Sequence, residues 1–299
     1  YVYPPYGHHL PRFTISDFHR VRQQGFDFIR LPIDHGPFLD LAEDKWPELM
    51  EGVRLAVRAA LDEGLSVVLD VHPPTSHPVY RIDRIINSYP ERRPDDLAGR
   101  FSRLNVAFAM MLDREDVRRT LLEPMNEPGL DCTVASMSVV VSVFNEIATH
   151  IRTKSSALRL VFEPPCQSSW KLLTKLAASS VDDRNVVYSF HFYEPFLFTH
   201  QGSTWSSRSP FLAYVKGLPF PSTRDGTLKA LGRSIESLDS VPELNELEGR
   251  RLRSDMSVAI SRSVDTSDES LIDSAFSAVA SWSKNNNVRP EQIFLGEFG

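Results

Sequence analysis

Helix and strand patterns alternate along this chain, and that alternation restricts its fold more than any other feature of the sequence. Thr14-Ile15-Ser16-Asp17-Phe18 opens a helix, with Thr14 or Ser16 as its N-cap, and Gly25 stops it. Phe26 to Ile33 then reads as a short buried strand. Lys45 to Glu63 is a second helix, with Pro47 in its first turn and Gly64 past its end. Leu65 to Val71 is a mostly apolar run, as in a strand covered on both faces. Further helices read at Asp95–Met111, Val134–Arg152, Trp170–Ala178 and Leu271–Ser283. Further strands lie within Val117–Met125 and at Leu158–Phe162, Val186–Phe192 and Gln292–Gly296. Six strands with helices between them specify a parallel α/β sheet. No repeat, low-complexity tract or linker interrupts the pattern, so one domain is expected over residues 1–299. Gln201 to Glu269 lacks clean periodicity beyond a helix near Leu228–Leu238. It reads as an elaborated loop after the strand at Val186, with a small inserted subdomain as the alternative.

Polar side chains gather where the strands end. Arg30 sits in Phe28-Ile29-Arg30-Leu31-Pro32, and His72 follows Asp70-Val71. Asn126 and Glu127 close the third strand, His191 and Tyr193 the fifth, and Glu297 the last. Charged and imidazole groups inside apolar strands are costly unless paired. Taken singly, Arg30 reads as an ion-pair partner, His72 as a backbone-bonded core histidine, Tyr193 as a packing residue and Glu127 as a loop carboxylate. Five strands carrying such a cost at the same end argue for a site. Glu127 and Glu297 lie 170 positions apart, and a barrel of parallel strands brings such residues to one face. Two carboxylates across that face are the minimal equipment for breaking a glycosidic bond. Glu163 and Glu194 also end strands; they read as ion-pair residues by default and as tuning groups otherwise.

The bulk numbers narrow the partners. The chain has 299 residues, 41% hydrophobic and 24% charged, which is enough for a sizeable core. A net charge of −6 argues against nucleic acid, whose phosphates need a basic surface. The arginine-rich stretch Arg81–Arg103 is interleaved with acids and reads as a solvated face. The apolar stretch around Val139–Phe144 is too short to span a membrane, and Tyr1–Tyr6 has no signal-peptide pattern. Neither His8-His9, His35, His77 and His200 nor the two cysteines have metal-ligand spacing. Cys132 and Cys166 read either as two separate buried thiols or as a disulfide between neighbouring loops. Trp170, Trp205, Phe196 and Phe198 read as packing residues or as platforms for the apolar faces of sugar rings.

Asn126-Glu127-Pro128 and Gly296-Glu297-Phe298-Gly299 resemble the acid/base and nucleophile motifs of glycoside hydrolase family five, the cellulase family of retaining (β/α)8 barrels. Ile29-Arg30-Leu31-Pro32, Asp70-Val71-His72 and His191-Phe192-Tyr193 resemble its other active-site positions, in the same order, over roughly residues 15–299. The resemblance implies a TIM barrel and a retaining β-glucanase without a cofactor or metal, monomeric, secreted or periplasmic, acting on a polysaccharide or oligosaccharide. Mannan, xyloglucan or a bacterial exopolysaccharide are the alternative substrates. A non-catalytic carbohydrate-binding relative and an unrelated metal-dependent barrel enzyme are the rivals. It further implies Glu297 as nucleophile, steadied by Arg30 and Tyr193, and Glu127 as general acid and then base. Asn126 would bind the sugar 2-hydroxyl; His72 and His191 would touch the sugar or orient the carboxylates. In such enzymes the two carboxyl groups stand about 5–5.5 Å apart.

The strand count departs from the family. The strand at Arg30 looks like the second and that at Glu297 like the seventh, so the first and eighth, with its tryptophan, are not evident. The expectation is a barrel cut from a longer coding sequence, with two unpaired edges, low stability and little activity. A cooperative melt and cellulase-like turnover by the purified 299-residue chain would sink that expectation.

Overall fold

Largely apolar runs of four to seven residues, with helices between them, build the sheet that carries the site. The computed structural model describes residues 14–72, 79–91, 93, 96–204, 206, 209–241, 244–263 and 268–299. His8, His9, His77 and Trp205 lie outside them. In chain order the elements are α1 (Ile15–Gln23), β1 (Phe28–Ile33), α2 (Gly36–Asp40), α3 (Trp46–Asp62), β2 (Ser66–Val71), α4 (Ile82–Ser88), α5 (Leu97–Glu115), β3 (Thr120–Glu123), α6 (Val134–Arg152), β4 (Arg159–Phe162), the single turn α7 (Pro165–Ser168), α8 (Trp170–Leu173), β5 (Val186–Phe192), α9 (Phe196–Thr199), α10 (Arg224–Asp239), α11 (Glu246–Arg262), α12 (Glu269–Asn285) and β6 (Ile293–Phe298). The helix expected over Trp170–Ala178 shortens to one turn, followed by a 3-10 turn at Ala178–Ser180.

The strands lie in the order β1-β2-β3-β4-β5-β6, and every pair from β1 to β5 is parallel. Strand β6 runs the same way as β5. The Gln292 side chain before it donates to the Val186 carbonyl at the start of β5, and the Gly299 N–H donates to the Phe192 carbonyl at its end. The sheet curls. Val68, Val161 and Val187 meet on its inner face with Leu121 and Phe294, and the Phe28 ring of β1 packs edge-on against Phe294 of β6 at 5.7 Å. Strands at opposite ends of the order thus share one interior, the arrangement of a (β/α)8 barrel wall.

Helices cover the outer face. Helix α6 is the one described helix long and apolar enough, by length and composition, to cross a membrane. Here its buried stripe of Val140, Phe144, Ile147 and Ile151 packs inward, with Phe144 edge-on to Phe162 of β4 at 5.2 Å. Its N-cap is Thr133, whose side chain accepts from Ser136 N–H. Trp282 of α12 pins the far end: its Nε1 donates to the Leu176 carbonyl and its ring meets Tyr188.

The chain divides into two compact units, residues through 191 together with 282–296, and residues 192–281 with 297–299. The second unit contains α10 and α11, where the sequence offers only a helix near 228–238. These helices and the 3-10 turn Pro210–Tyr214 enclose their own apolar cluster of Leu212, Val215, Leu218, Ala230, Leu238, Leu252, Met256 and Ile260.

Candidate active site

The site begins as a burial problem. Asp70 on β2 and Glu123 on β3 are register partners, and both are fully buried. Two adjacent buried carboxylates require a cation. Arg30 on β1 supplies it: Nη2 and Nε reach Glu123 at 2.6 and 2.9 Å, and Nη2 reaches Asp70 at 3.1 Å. Burial alone would lower the Arg30 guanidinium, but Glu123 and Asp70 outweigh it and hold the charge firmly in place. Burial pushes Asp70 up against the pull of His72 and Arg30. Glu123 is pushed well above the usual carboxylate range by burial and by its neighbours Glu163 and Asp70.

This floor orients the side chains above it. Arg30 Nη2 also donates to Asn126 Oδ1 at 2.6 Å, which leaves the Asn126 amide N–H groups for other partners. His72 Nδ1 lies 2.7 Å from Asp70 Oδ2, so it carries the proton there, and Nε2 remains the acceptor, 3.4 Å from Asn126 Nδ2. Within the first unit Arg30 is gripped by Glu123 and Asp70 and grips Asn126.

Glu127 follows directly. Its φ of 43° lies in the left-handed region, which costs a non-glycine residue on the order of 1–3 kcal/mol. Its backbone N–H is held by Glu163 Oε2 at 2.7 Å, and its Oε1 lies 2.8 Å from His191 Nδ1. The Glu127 side chain keeps 22% of its surface exposed, whereas the His191 beside it keeps 1%. His191 Nε2 in turn lies 2.8 Å from Glu163 Oε1. Burial would raise Glu163, but His191 and Arg30 prevail and hold it far below the usual carboxylate range. Ser189 and Ser168 hydroxyls also donate to it.

The wall beside Glu127 is cross-linked. Cys132 and Cys166 form a disulfide, with Cα atoms 4.9 Å apart, joining the loops after β3 and β4. Cys166 N–H donates to the Pro128 carbonyl, and Cys166, Gln167 and Ser168 all take left-handed φ. Gly296 lets β6 come in close: a Cβ there would stand 2.7 Å from Ser189 Oγ and 2.8 Å from His191 Nε2.

In the second unit, the Tyr193 hydroxyl donates to Glu297 Oε2 at 2.9 Å. The Tyr193 ring meets His200 edge-on, and His200 stacks on Phe196 at 3.9 Å, leaving Phe196 half exposed. Trp170 and Phe198 are partly buried, as is Glu194.

Sequence reasoning overlooked Asp70, Glu123, Ser168 and Ser189. The available signal was a charge inside an apolar strand, as in Val67-Val68-Leu69-Asp70-Val71. Glu123, Glu163 and His191 bring donor atoms within 4.8 Å of one another. Arg30, Ser168, Ser189 and Glu127 already satisfy those donors, so the set suits an ion-pair network better than a metal. His35 is buried with Nε2 on the Tyr80 carbonyl, a structural bond.

A curled parallel sheet with paired carboxylates and imidazoles at its strand ends defines a barrel hydrolase. The family model described as "Cellulase (glycosyl hydrolase family 5)" matches residues 8–299, and the chain belongs to that family of glycosidases. Endoglucanase C of Acetivibrio thermocellus is 29% identical over 255 residues, 83% of this chain and 69% of that protein. Endoglucanase 3 of Fibrobacter succinogenes is 27% identical over 219 residues, 69% of this chain and 31% of that protein. Among solved structures, Thermotoga maritima Cel5A with cellobiose superposes with a TM-score of 0.61 at 20% identity, covering 96% of this chain and 71% of that one. The same enzyme with mannotriose gives 0.58 at 19%, covering 96% and 72%. These likenesses establish the barrel fold.

Proposed function

We propose that this chain is a retaining, endo-acting β-glucanase that cleaves β-1,4-linked glucan by double displacement, with Glu297 as nucleophile and Glu127 as acid/base. The observation that carries the reading is the different setting of the two glutamates. Glu297 accepts a hydrogen bond from a tyrosine hydroxyl, which favours the carboxylate a nucleophile needs. Glu127 faces a His191 ring nitrogen 2.8 Å away, which suits a group whose proton must be held in place before it is passed on. In the first step Glu297 attacks the anomeric carbon while Glu127 protonates the departing oxygen. In the second, water attacks the glycosyl-enzyme and returns a proton to Glu127. Asn126, its carbonyl taken by Arg30, offers its amide N–H groups to the sugar 2-hydroxyl. His72 offers Nε2 as an acceptor to a sugar hydroxyl.

Glucan stands first as substrate because the curated relatives are endoglucanases. Mannan stands second, because a structural neighbour holds mannotriose. The disulfide supports a secreted or periplasmic site of action, and a monomer suffices for the chemistry. Glu127→Ala and Glu297→Ala should each reduce hydrolysis of soluble β-glucan by orders of magnitude. NMR of the fresh product should show the β anomer first; an α product or near-normal variants would refute the assignment.

A further inference from the structure

We infer that Glu163 is a positioning residue for Glu127, fixing both the backbone that carries it and the imidazole proton opposite its carboxyl. The inference rests on the acid/base role proposed for Glu127. One buried carboxylate gathers three hydrogen bonds and a close imidazole from three segments. Oε2 accepts the Glu127 N–H at 2.7 Å and the Ser168 hydroxyl; Oε1 accepts the Ser189 hydroxyl at 3.0 Å and lies 2.8 Å from His191 Nε2. The groups around it are the His191 imidazole, whose Nε2 faces it, the Arg30 guanidinium on the positive side, and Glu123 and Asp70 on the negative. His191 and Arg30 prevail, so Glu163 stays ionised at neutral pH.

An anion at Nε2 keeps the imidazole proton on the side away from Glu127. Nδ1, 2.8 Å from Glu127 Oε1, then accepts from the protonated carboxyl. That contact aims the acidic proton before the first step. The proton then passes to the glycosidic oxygen, which departs with the electron pair of the broken bond. In the second step the proton from the attacking water returns to Glu127. The imidazole keeps its own proton throughout, so the cycle balances without it.

Leaving-group dependence tests this. A phenyl β-cellobioside needs the acid, and a 2,4-dinitrophenyl β-cellobioside does not. Folded Glu163→Gln, checked by a cooperative melt, should lose about 100-fold in kcat/KM on the phenyl substrate and under about 5-fold on the dinitrophenyl one. Glu127→Gln, run alongside, should show the same selectivity more steeply. Equal losses on both substrates in Glu163→Gln, with Glu127→Gln selective, overturn the inference and leave the acid/base reading standing. A non-selective Glu127→Gln overturns both. If Glu163→Gln fails to fold, Ser189→Ala carries the test. It should give a smaller loss of the same selectivity, and an equal loss on both substrates overturns the inference.

Discussion

Two regions of the molecule bury side chains on opposite terms. At the strand ends of the first unit, Asp70, Glu123, Glu163 and His191 are buried beside Arg30, and almost every polar atom there has a named partner. In the second unit, α10 and α11 bury Leu238, Leu252, Met256 and Ile260 and leave their charges on the surface, as in Lys229–Asp225 at 2.7 Å. Apolar burial is cumulative and forgives volume-conserving exchange. Polar burial is settled partner by partner, and removing one partner strands another. A region organised the second way gains little stability from it, which marks it as the region kept for chemistry.

The largest test of that contrast is Arg30→Met, which leaves Asp70 and Glu123 without their cation. A loss of about 3–5 kcal/mol is expected in denaturant melts, and a loss below about 1 kcal/mol would dissolve the contrast. Next comes the acid limb of stability. The folded Glu163 carboxyl lies below its unfolded value, so its stabilisation is complete above about pH 4.3 and drains as the pH falls. Asp70 and Glu123, held above their unfolded values, give the opposite slope, losing stability as pH rises through their folded values. Glu163→Gln should therefore flatten the fall in Tm between about pH 5 and pH 3; profiles parallel to wild type would show that Glu163 carries no favourable charge. Ile260→Val in the second unit should cost about 1 kcal/mol and leave kcat/KM of the folded protein unchanged. A matching loss of activity would mean the two regions are not separable. Smallest is Lys229→Ala, expected to move stability by under about 0.5 kcal/mol in the same melts.

Much of this was readable from residue order. Val134–Arg152 and Val186–Phe192 stand where the pattern sets them, because a long amphipathic helix and a fully buried strand each state their period clearly. The polar residues Arg30 and His191 announce themselves by interrupting apolar strands, and His72, Asn126 and Glu127 by following them. Their partnerships did not, since Arg30 meets Glu123 across 93 positions and only the register of β1 to β3 decides which carboxylate it faces. Helix α11 escaped because its buried stripe is only Leu252, Met256 and Ile260 among seventeen largely polar residues. Helix α10 escaped in part because Gly226 and Gly232 blur its pattern.

The Cys132–Cys166 bond has a practical side. It closes a hoop of 34 positions around α6 and β4, which by loop length alone is worth about 4 kcal/mol against the open chain. Protein made in a reducing cytosol would emerge as a mixture of closed and open hoops. Batches would then differ in heat tolerance and in the set of the loop beside Glu127, and a count of free thiols would sort them before any activity is compared.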